Sequence, residues 1–589
     1  MDAKAALFDN DIRPNPSKQL ALGHNFTSAF DKRDEDVEFA AADLHGRFAL
    51  QQPTFGGEKP KWAELCAIAH GVTLALGDYK SQIGTLSRKC ARRLTAPTSA
   101  LAVYPCSRQQ LDGGSMRSPV AGKSRTPEFK GTDRSTILGL LVLVYTFNFI
   151  DRMIVTTLGQ AIKVDLQITD AQLGLLQGLA FAIFFATLGI PLARLAERVS
   201  RVNLIAVCLA LWSGMTVLCG AAANYTQLFL YRMGVGVGEA GCSPPAHSLI
   251  TDLYVARSRA TALSIYSLGI PLGTMFGAMA GGWIADELGW RQAFLIVGLP
   301  GVLLAVVFRI VVKEPQRGLT DGASSAPAAA APPLGDVVRQ LFGNASFVHM
   351  LVGATVITFV AYGTGTFTQP YFHRAFGLSY TQVGLIFGLI GGAAAAAGTL
   401  LGGVASDWAG RRALRWYALI PGVSVLLAAP GYVLAYTRES PQLAVACIVV
   451  PMLLHYVYLG PTLGVMHNLV GPRMRATATA LFIFIVNLIG LGAGPYVTGR
   501  LNDYFAEREF LRALGGSFAQ RCPGGIAPAG SGDALALECA RSGVLGTRAG
   551  IVIMSTVLVW AALHYLLAAR TLRCDLVTAS ARTRSRTAA

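Results

Sequence analysis

Between residues 136 and 569 the chain passes through twelve apolar segments of roughly 20 residues, separated by short polar joints. At 1.5 Å of rise per residue, a helix of that length matches the roughly 30 Å of hydrocarbon in a bilayer. The spans are expected at 136–160, 171–193, 202–222, 226–248, 259–284, 291–312, 346–368, 380–403, 413–435, 442–467, 475–497 and 549–569. The fold class that follows is an all-α membrane protein. Composition agrees, since 52% of the residues are hydrophobic and 14% charged, against about 25% charged in soluble domains.

The net charge of +16 does not call for nucleic acid, because the basic residues collect in alternate joints. Those after even spans hold Arg194, Arg198 and Arg201, then Arg257 and Arg259, then Lys313, Arg317 and Arg339, then Arg411, Arg412 and Arg415, then Arg473 and Arg475. The positive-inside rule puts these joints and both termini in the cytoplasm of a bacterial-type inner membrane. The joints after odd spans are sparsely basic, and the stretch 502–547 is too long for the rule to apply. That stretch holds Cys522 and Cys539 on the outside. An oxidising compartment would bridge them; two free thiols is the alternative. No C-x-x-C pair and no Cys/His cluster at ligand spacing occurs among the ten cysteines, so no metal and no cofactor is expected. The start, MDAKAALFDNDIR, lacks the basic flank and apolar core of a signal peptide.

Residues 1–134 differ from the rest. They are mixed polar and charged, with one apolar stretch, 65–76, too short to span. Met116 precedes the basic run RSPVAGKSRTPEFKGTDR, which fits a true start at Met116 as well as a disordered tail. A six-helix half is expected at 135–312, a Pro/Ala-rich linker containing GASSAPAAAAPP at 313–345, a second half at 346–570 and a tail at 571–589.

Two joints carry one motif. After span two the chain reads Ala193-Arg-Leu-Ala-Glu197-Arg198-Val-Ser200-Arg201, and after span eight Gly403-Val-Ala-Ser-Asp407-Trp-Ala-Gly410-Arg411-Arg412. An acid followed by Arg in a tight turn can cap a neighbouring helix and pair with another, closing one face of a carrier. An ordinary basic loop is the plainer reading, which repetition in both halves disfavours. This arrangement resembles the major facilitator superfamily, with its G-x-x-x-D-x-x-G-R-R loop. The second copy matches fully; the first departs at Ala193, Glu197 and Ser200. The resemblance implies two pseudo-symmetric six-helix bundles, and a loop Arg reaching an acid at the end of helix four, here Asp252.

Four charges lie inside predicted spans: Asp151 and Arg152 on span one, Arg232 and Glu239 on span four. An ionised side chain at mid-bilayer costs about 2.5–3.5 kcal/mol or more, so such groups face a cavity or a partner. Asp151 and Glu239 are the candidates to exchange a proton. Arg152 or Arg232 is the candidate to hold an anion, because a planar guanidinium binds phosphate or carboxylate in a fork. A structural ion pair between the two spans is the other reading. The segments Phe147-Asn-Phe-Ile-Asp151-Arg152 and Arg232-Met-Gly-Val-Gly236-Val-Gly238-Glu239-Ala240 are similar to the spinster-like branch, with its N-Y-I-D-R and R-x-x-x-G-x-G-E-A. That resemblance implies proton-linked movement of lysophospholipids or phosphorylated sphingoid bases.

Three signals carry less. Gly236-Val-Gly238-Glu-Ala-Gly241 spells a dinucleotide fingerprint, but inside a spanning helix with no preceding strand. Gly269, Gly273, Gly277 and Gly281 form a small-residue ladder that suits close helix packing. His247 and Asp252 spell an acyltransferase-like H-x-x-x-x-D without a supporting nucleophile. Tyr362, Gln369, His455, Tyr456 and Tyr458 are expected to line a cavity in the second half, or to belong to the interfacial belt. The reading is a monomeric carrier of an amphiphilic or lysolipid-like anion with protons as co-solute. A carrier of small aromatic or sugar acids, a lipid-modifying membrane enzyme and a non-transporting sensor are its rivals.

Overall fold

The computed structural model describes residues 132–317, 319, 333–470 and 474–588. The expectations for residues 1–131 with Met116, for most of the linker and for Arg473 fall outside the described residues, as does the side chain of Arg257. Every described element is helical.

Among the described residues, twelve long helices build the fold. They are α1 (Arg134–Thr157), α2 (Asp170–Arg198), α3 (Arg201–Gly220), α4 (Tyr225–Ala240, continued as Ser243–Leu253), α5 (Thr261–Leu288) and α6 (Trp290–Val311) in one half. The other half has α7 (Ala345–Phe376), α8 (Tyr380–Gly410), α9 (Trp416–Tyr436), α10 (Pro441–Leu469), α11 (Thr477–Leu514) and α12 (Asp533–Ala579). Eleven are long and apolar enough to cross a membrane. The twelfth, α4, is interrupted at Gly241 and Cys242 and carries Arg232 and Glu239 in its first part. Apolar side chains cover the outer surface, as lipid requires: Ile310, Leu400 and Val404 are each about two-thirds or more exposed.

One expectation is corrected. The stretch 502–547 is not mainly loop: α11 runs to Leu514 and a new helix starts at Asp533, which leaves 515–532 as the connection. Its polar residues mislead because helices that project past the bilayer no longer need apolar surface. The tail expected from residue 571 is helical, continuing the last helix as far as Ala588.

The apolar core is divided unevenly. At the end where α1 gives way to α2, Ile154, Leu158, Leu173, Leu176 and Phe294 of the first half pack into one cluster with Phe367, Phe372, Phe387 and Tyr436 of the second. At the opposite end a second cluster comes almost wholly from the first half, built on Leu141, Leu209, Trp212, Ile250 and Phe308, with Leu491 of α11 as its buried member from the second half. The halves are therefore joined at the Asp170 end.

The glycine ladder on α5 packs against α1. A Cβ at Gly269 would lie 2.8 Å from the Cβ of Tyr145, and one at Gly277 2.9 Å from the Cα of Ile150. Only hydrogen at these positions lets α1 approach this closely. Gly236 and Gly238 serve the same purpose on α4, against the Phe181 carbonyl and the Trp212 backbone, so the apparent nucleotide fingerprint is a packing surface.

Candidate functional site

The four intramembrane charges come together between α1 and α4. Arg152 donates to Oε2 of Glu239 from Nε at 2.8 Å and from Nη2 at 2.7 Å. Three phenyl rings cradle the Arg152 guanidinium, those of Phe181 and Phe185 at 4.7 Å and that of Phe149 at 5.1 Å. Cations are drawn to the negative faces of such rings, most strongly where water is thin. The Arg152 side chain is 18% exposed while that of Glu239 is fully buried, so the guanidinium stands between the carboxylate and the accessible space.

Asp151 and Arg232 sit deeper, each 2% exposed. Asp151 lies within electrostatic reach of both Arg232 and Glu239, with the Thr216 hydroxyl of α3 beside it. Among the described residues, Oδ1 of Asp151, Oε1 of Glu239, Nε and Nη1 of Arg232 and Oγ1 of Thr216 are buried without a hydrogen bond of good geometry. Asn148 lies beside the Glu239 carboxylate without satisfying Oε1. Unpaired polar groups in a low dielectric are costly and concentrate where protons or ligands exchange.

From the second half, the half-buried Tyr362 of α7 lies within electrostatic reach of Arg152 and also of Tyr456 and Tyr458 on α10. It connects the charged site to the opposite bundle. Its companions are more inward-turned than cavity-lining residues should be. His455 contacts the Ile357 carbonyl at 3.2 Å, and Tyr458 exchanges a 3.1 Å hydrogen bond with Thr358, both on α7. Gln369 is 4% exposed with its Oε1 unpartnered, and Tyr456 is half-buried.

The loop motif behaves differently in its two copies. Arg201, the first residue of α3, pairs with Asp252 at the end of α4 and with Glu314 at 2.7 Å, and donates to Ser248 at 2.8 Å and the Pro315 carbonyl at 3.0 Å. Glu314 also accepts from Ser200 and from the backbone of Val202, at 2.8 and 2.9 Å. Burial pushes its carboxyl upward, but the hydrogen bonds from Val202, Arg201 and Ser200 outweigh this and hold it below the usual range. Glu197 and Arg198 are exposed, so the acids serving this network come from the end of α4 and from beyond α6, not from the motif. In the second copy Asp407 accepts from the Tyr417 hydroxyl at 2.8 Å, Arg412 lies 4.4 Å over the Trp408 ring, and Arg411 is exposed. The copy that departs from the pattern is thus the more engaged one, because a fully buried guanidinium has found two carboxylates. Cys522 and Cys539 are bonded to each other. His247, of the H-x-x-x-x-D pattern, meets Tyr266 edge-on at 5.3 Å, and Asp252 is held by Arg201.

Sequence reasoning missed the cluster at the joined end. Asp170 at the start of α2 accepts from Lys163 at 2.6 Å and from both terminal nitrogens of Arg374 on α7 at 2.8 Å. Arg374 also donates to Gln160 and to Thr547, at 2.6 Å each. Burial, followed by repulsion from the Arg374 guanidinium, depresses the Lys163 ammonium despite Asp170. The available signal was Lys163 and Arg374 themselves, basic residues in joints that orientation leaves nearly free of them.

Residues 141–495 match the model of the Major Facilitator Superfamily. An MFS-type efflux pump of Mycolicibacterium smegmatis is 35% identical over 378 residues, covering 64% of this chain and 86% of that protein. A sphingosine-1-phosphate transporter of Danio rerio is 26% identical over 385 residues, 63% of this chain and 76% of its own length. The crystal structure of a bacterial homologue of the human lysosomal transporter Spinster, inward-facing and unoccupied, aligns with a TM-score of 0.68 at 35% identity, over 75% of this chain and 98% of that one. On these grounds the chain belongs to the major facilitator superfamily and, within it, to the spinster-like transporters.

Proposed function

We propose that this transporter moves an amphiphilic organic anion, bearing phosphate or carboxylate, by alternating access coupled to protons. The observation that carries the reading is Arg152, held by Glu239 and ringed by Phe149, Phe181 and Phe185. An ionised Glu239 occupies the guanidinium; a protonated one loses the charge that holds it and frees Arg152 for an anionic head group. The three rings offer the apolar body of the same solute a surface. Asp151, next to Arg232, is the second proton-exchanging acid. Sphingosine-1-phosphate, named for the Danio rerio relative, has this chemistry of a phosphate on an apolar chain.

The basic joints support an orientation with the Arg201 end and both termini on the cytoplasmic side of a bacterial inner membrane. The bonded Cys522 and Cys539 suit the opposite, oxidising side. In that orientation the halves are closed outside and the carrier faces inward. The protein works as a monomer, and it releases its solute chemically unchanged, which separates it from a lipid-modifying enzyme.

The test is lumenal pH in proteoliposomes offered lysophospholipids, sphingoid phosphates, aromatic acids and sugar acids. Proton movement with the long-chain phosphates supports the reading. Movement with short aromatic or sugar acids alone replaces the solute class, and release of a modified product replaces transport.

A further inference from the structure

We infer that the Asp170 end is closed by two quasi-equivalent helix latches that cross the halves in opposite directions, and that opening on that side requires both to release. The inference rests on the alternating-access reading above. On α11, the Asp503 carboxylate accepts the backbone N–H groups of Asp170 at 3.0 Å and Ala171 at 2.8 Å, the first two residues of α2. On α5, the Asp286 carboxylate accepts those of Tyr380 at 3.1 Å and Thr381 at 2.7 Å, the first two residues of α8. Each half therefore lends an acid to the other.

The surroundings repeat as well. Each acid stands one turn beyond a glycine against which the facing helix start is pressed: Gly499 meets the Asp170 carbonyl, and Gly282 meets the Tyr380 carbonyl. One turn into those facing helices the relationship is reversed, with Gly174 against the Pro495 carbonyl and Gly384 against the Ala278 carbonyl. Pro495, Gly499 and Asp503 thus form the same ladder as Ala278, Gly282 and Asp286.

Local sequence leaves these bonds to be made from outside. Thr169 and Ser379 cap their own helices in closed capping boxes, accepting the N–H of Gln172 and Gln382. The two N–H groups before those remain, at the positive end of the helix dipole, where a carboxylate is favoured. A borrowed cap holds only while the halves touch, which makes it a latch.

The two latches differ in strength. The Asp503 latch is enclosed by the Lys163–Asp170–Arg374 cluster, whereas Asp286 is exposed. A connection stapled by Cys522 and Cys539 also lies over the first: Gly524, at φ 67°, brings its backbone so close that a Cβ would sit 3.0 Å from the Lys163 carbonyl.

The test is the distance between spin labels at Ala223 and Glu439, exposed positions on opposite halves at this end, by pulsed electron paramagnetic resonance in lipid nanodiscs. The free cysteines are replaced and the disulfide kept. Asp503→Ala is expected to raise the separated population about 2- to 30-fold, the range that loss of a helix cap supplies. Asp286→Ala should do so less, and Asp503→Asn should fall between, because it keeps an acceptor oxygen. Gly499→Ala tests the same latch without touching a charge. Unchanged distances in both Asp503→Ala and Gly499→Ala overturn the inference. Shifted distances in a protein that carries no solute leave the latches standing and remove the transport reading instead.

Discussion

Arg152 and Glu239 meet through a single carboxylate oxygen: both guanidinium bonds end on Oε2, and Oε1 is left without one. A two-oxygen fork would be the firmer arrangement. The one-oxygen grip suits a contact that must be made and broken within a cycle.

Glu239→Gln removes the charge and keeps the shape. It should spare folding and solute exchange and abolish accumulation against a gradient. Arg152→Ala leaves the buried Glu239 carboxylate with Arg232 as its remaining counter-charge; losing one partner of a fully enclosed pair costs about 3–5 kcal/mol, and somewhat less here, where the Arg152 side chain is 18% exposed. Thermal unfolding in detergent should rank Arg152→Ala well below Glu239→Gln; equal losses would make the pair purely structural.

The two loop motifs should respond unequally. Arg201→Ala strips a fully buried hub of Asp252, Glu314 and Ser248, and is expected to lower both thermal stability and transport sharply. Arg411→Ala removes an exposed side chain and should stay within about 0.5 kcal/mol of wild type. Similar effects for both would mean that motif matching, rather than burial, sets the contribution.

Acid should loosen the Arg201 network. The Glu314 carboxyl is held below its ordinary value in the folded protein. Its contribution is therefore fully present above the unfolded carboxyl range, about pH 4.3, and is lost as pH falls through the lower folded value. Unfolding temperature followed from neutral to acid pH should drop less steeply in Glu314→Gln than in wild type; parallel curves would exclude Glu314 as a contributor.

Removing the Cys522–Cys539 bond, with its separation of 17 residues, should destabilise the 515–532 connection by about 3 kcal/mol on the chain-entropy account. Limited proteolysis of Cys522→Ser/Cys539→Ser checks this: faster cleavage within 515–532, with the spanning helices intact, is expected, and wild-type cleavage rates would contradict it.

The spans were legible because lipid leaves a chain few options: apolar length separates eleven of them, and glycine spacing marked α5 as a close-packing helix without saying which neighbour it meets. The meeting of Arg152 with Glu239 was legible in its residues, since charge within a span demands a partner. The latches were not. Asp286 and Asp503 look like ordinary polar residues near helix ends, and nothing local says that their partners lie on the other half. Asn487–Leu491 was equally hidden: α11 widens there into a π turn, whose Gly490 presses on Thr358 of α7 while Gly492 closes on Gly178. Such turns arise from packing between helices, not from periodicity within one. Glu314 was missed because the eye follows the motif, whereas the buried guanidinium takes whichever carboxylate reaches it.

The most direct test of proton coupling compares uphill uptake with solute counterflow in proteoliposomes carrying wild type or Asp151→Asn. The account predicts that a proton gradient drives uptake only in wild type, while counterflow persists in both. Gradient-driven uptake retained in Asp151→Asn would contradict it and return Asp151 to the role of a structural charge.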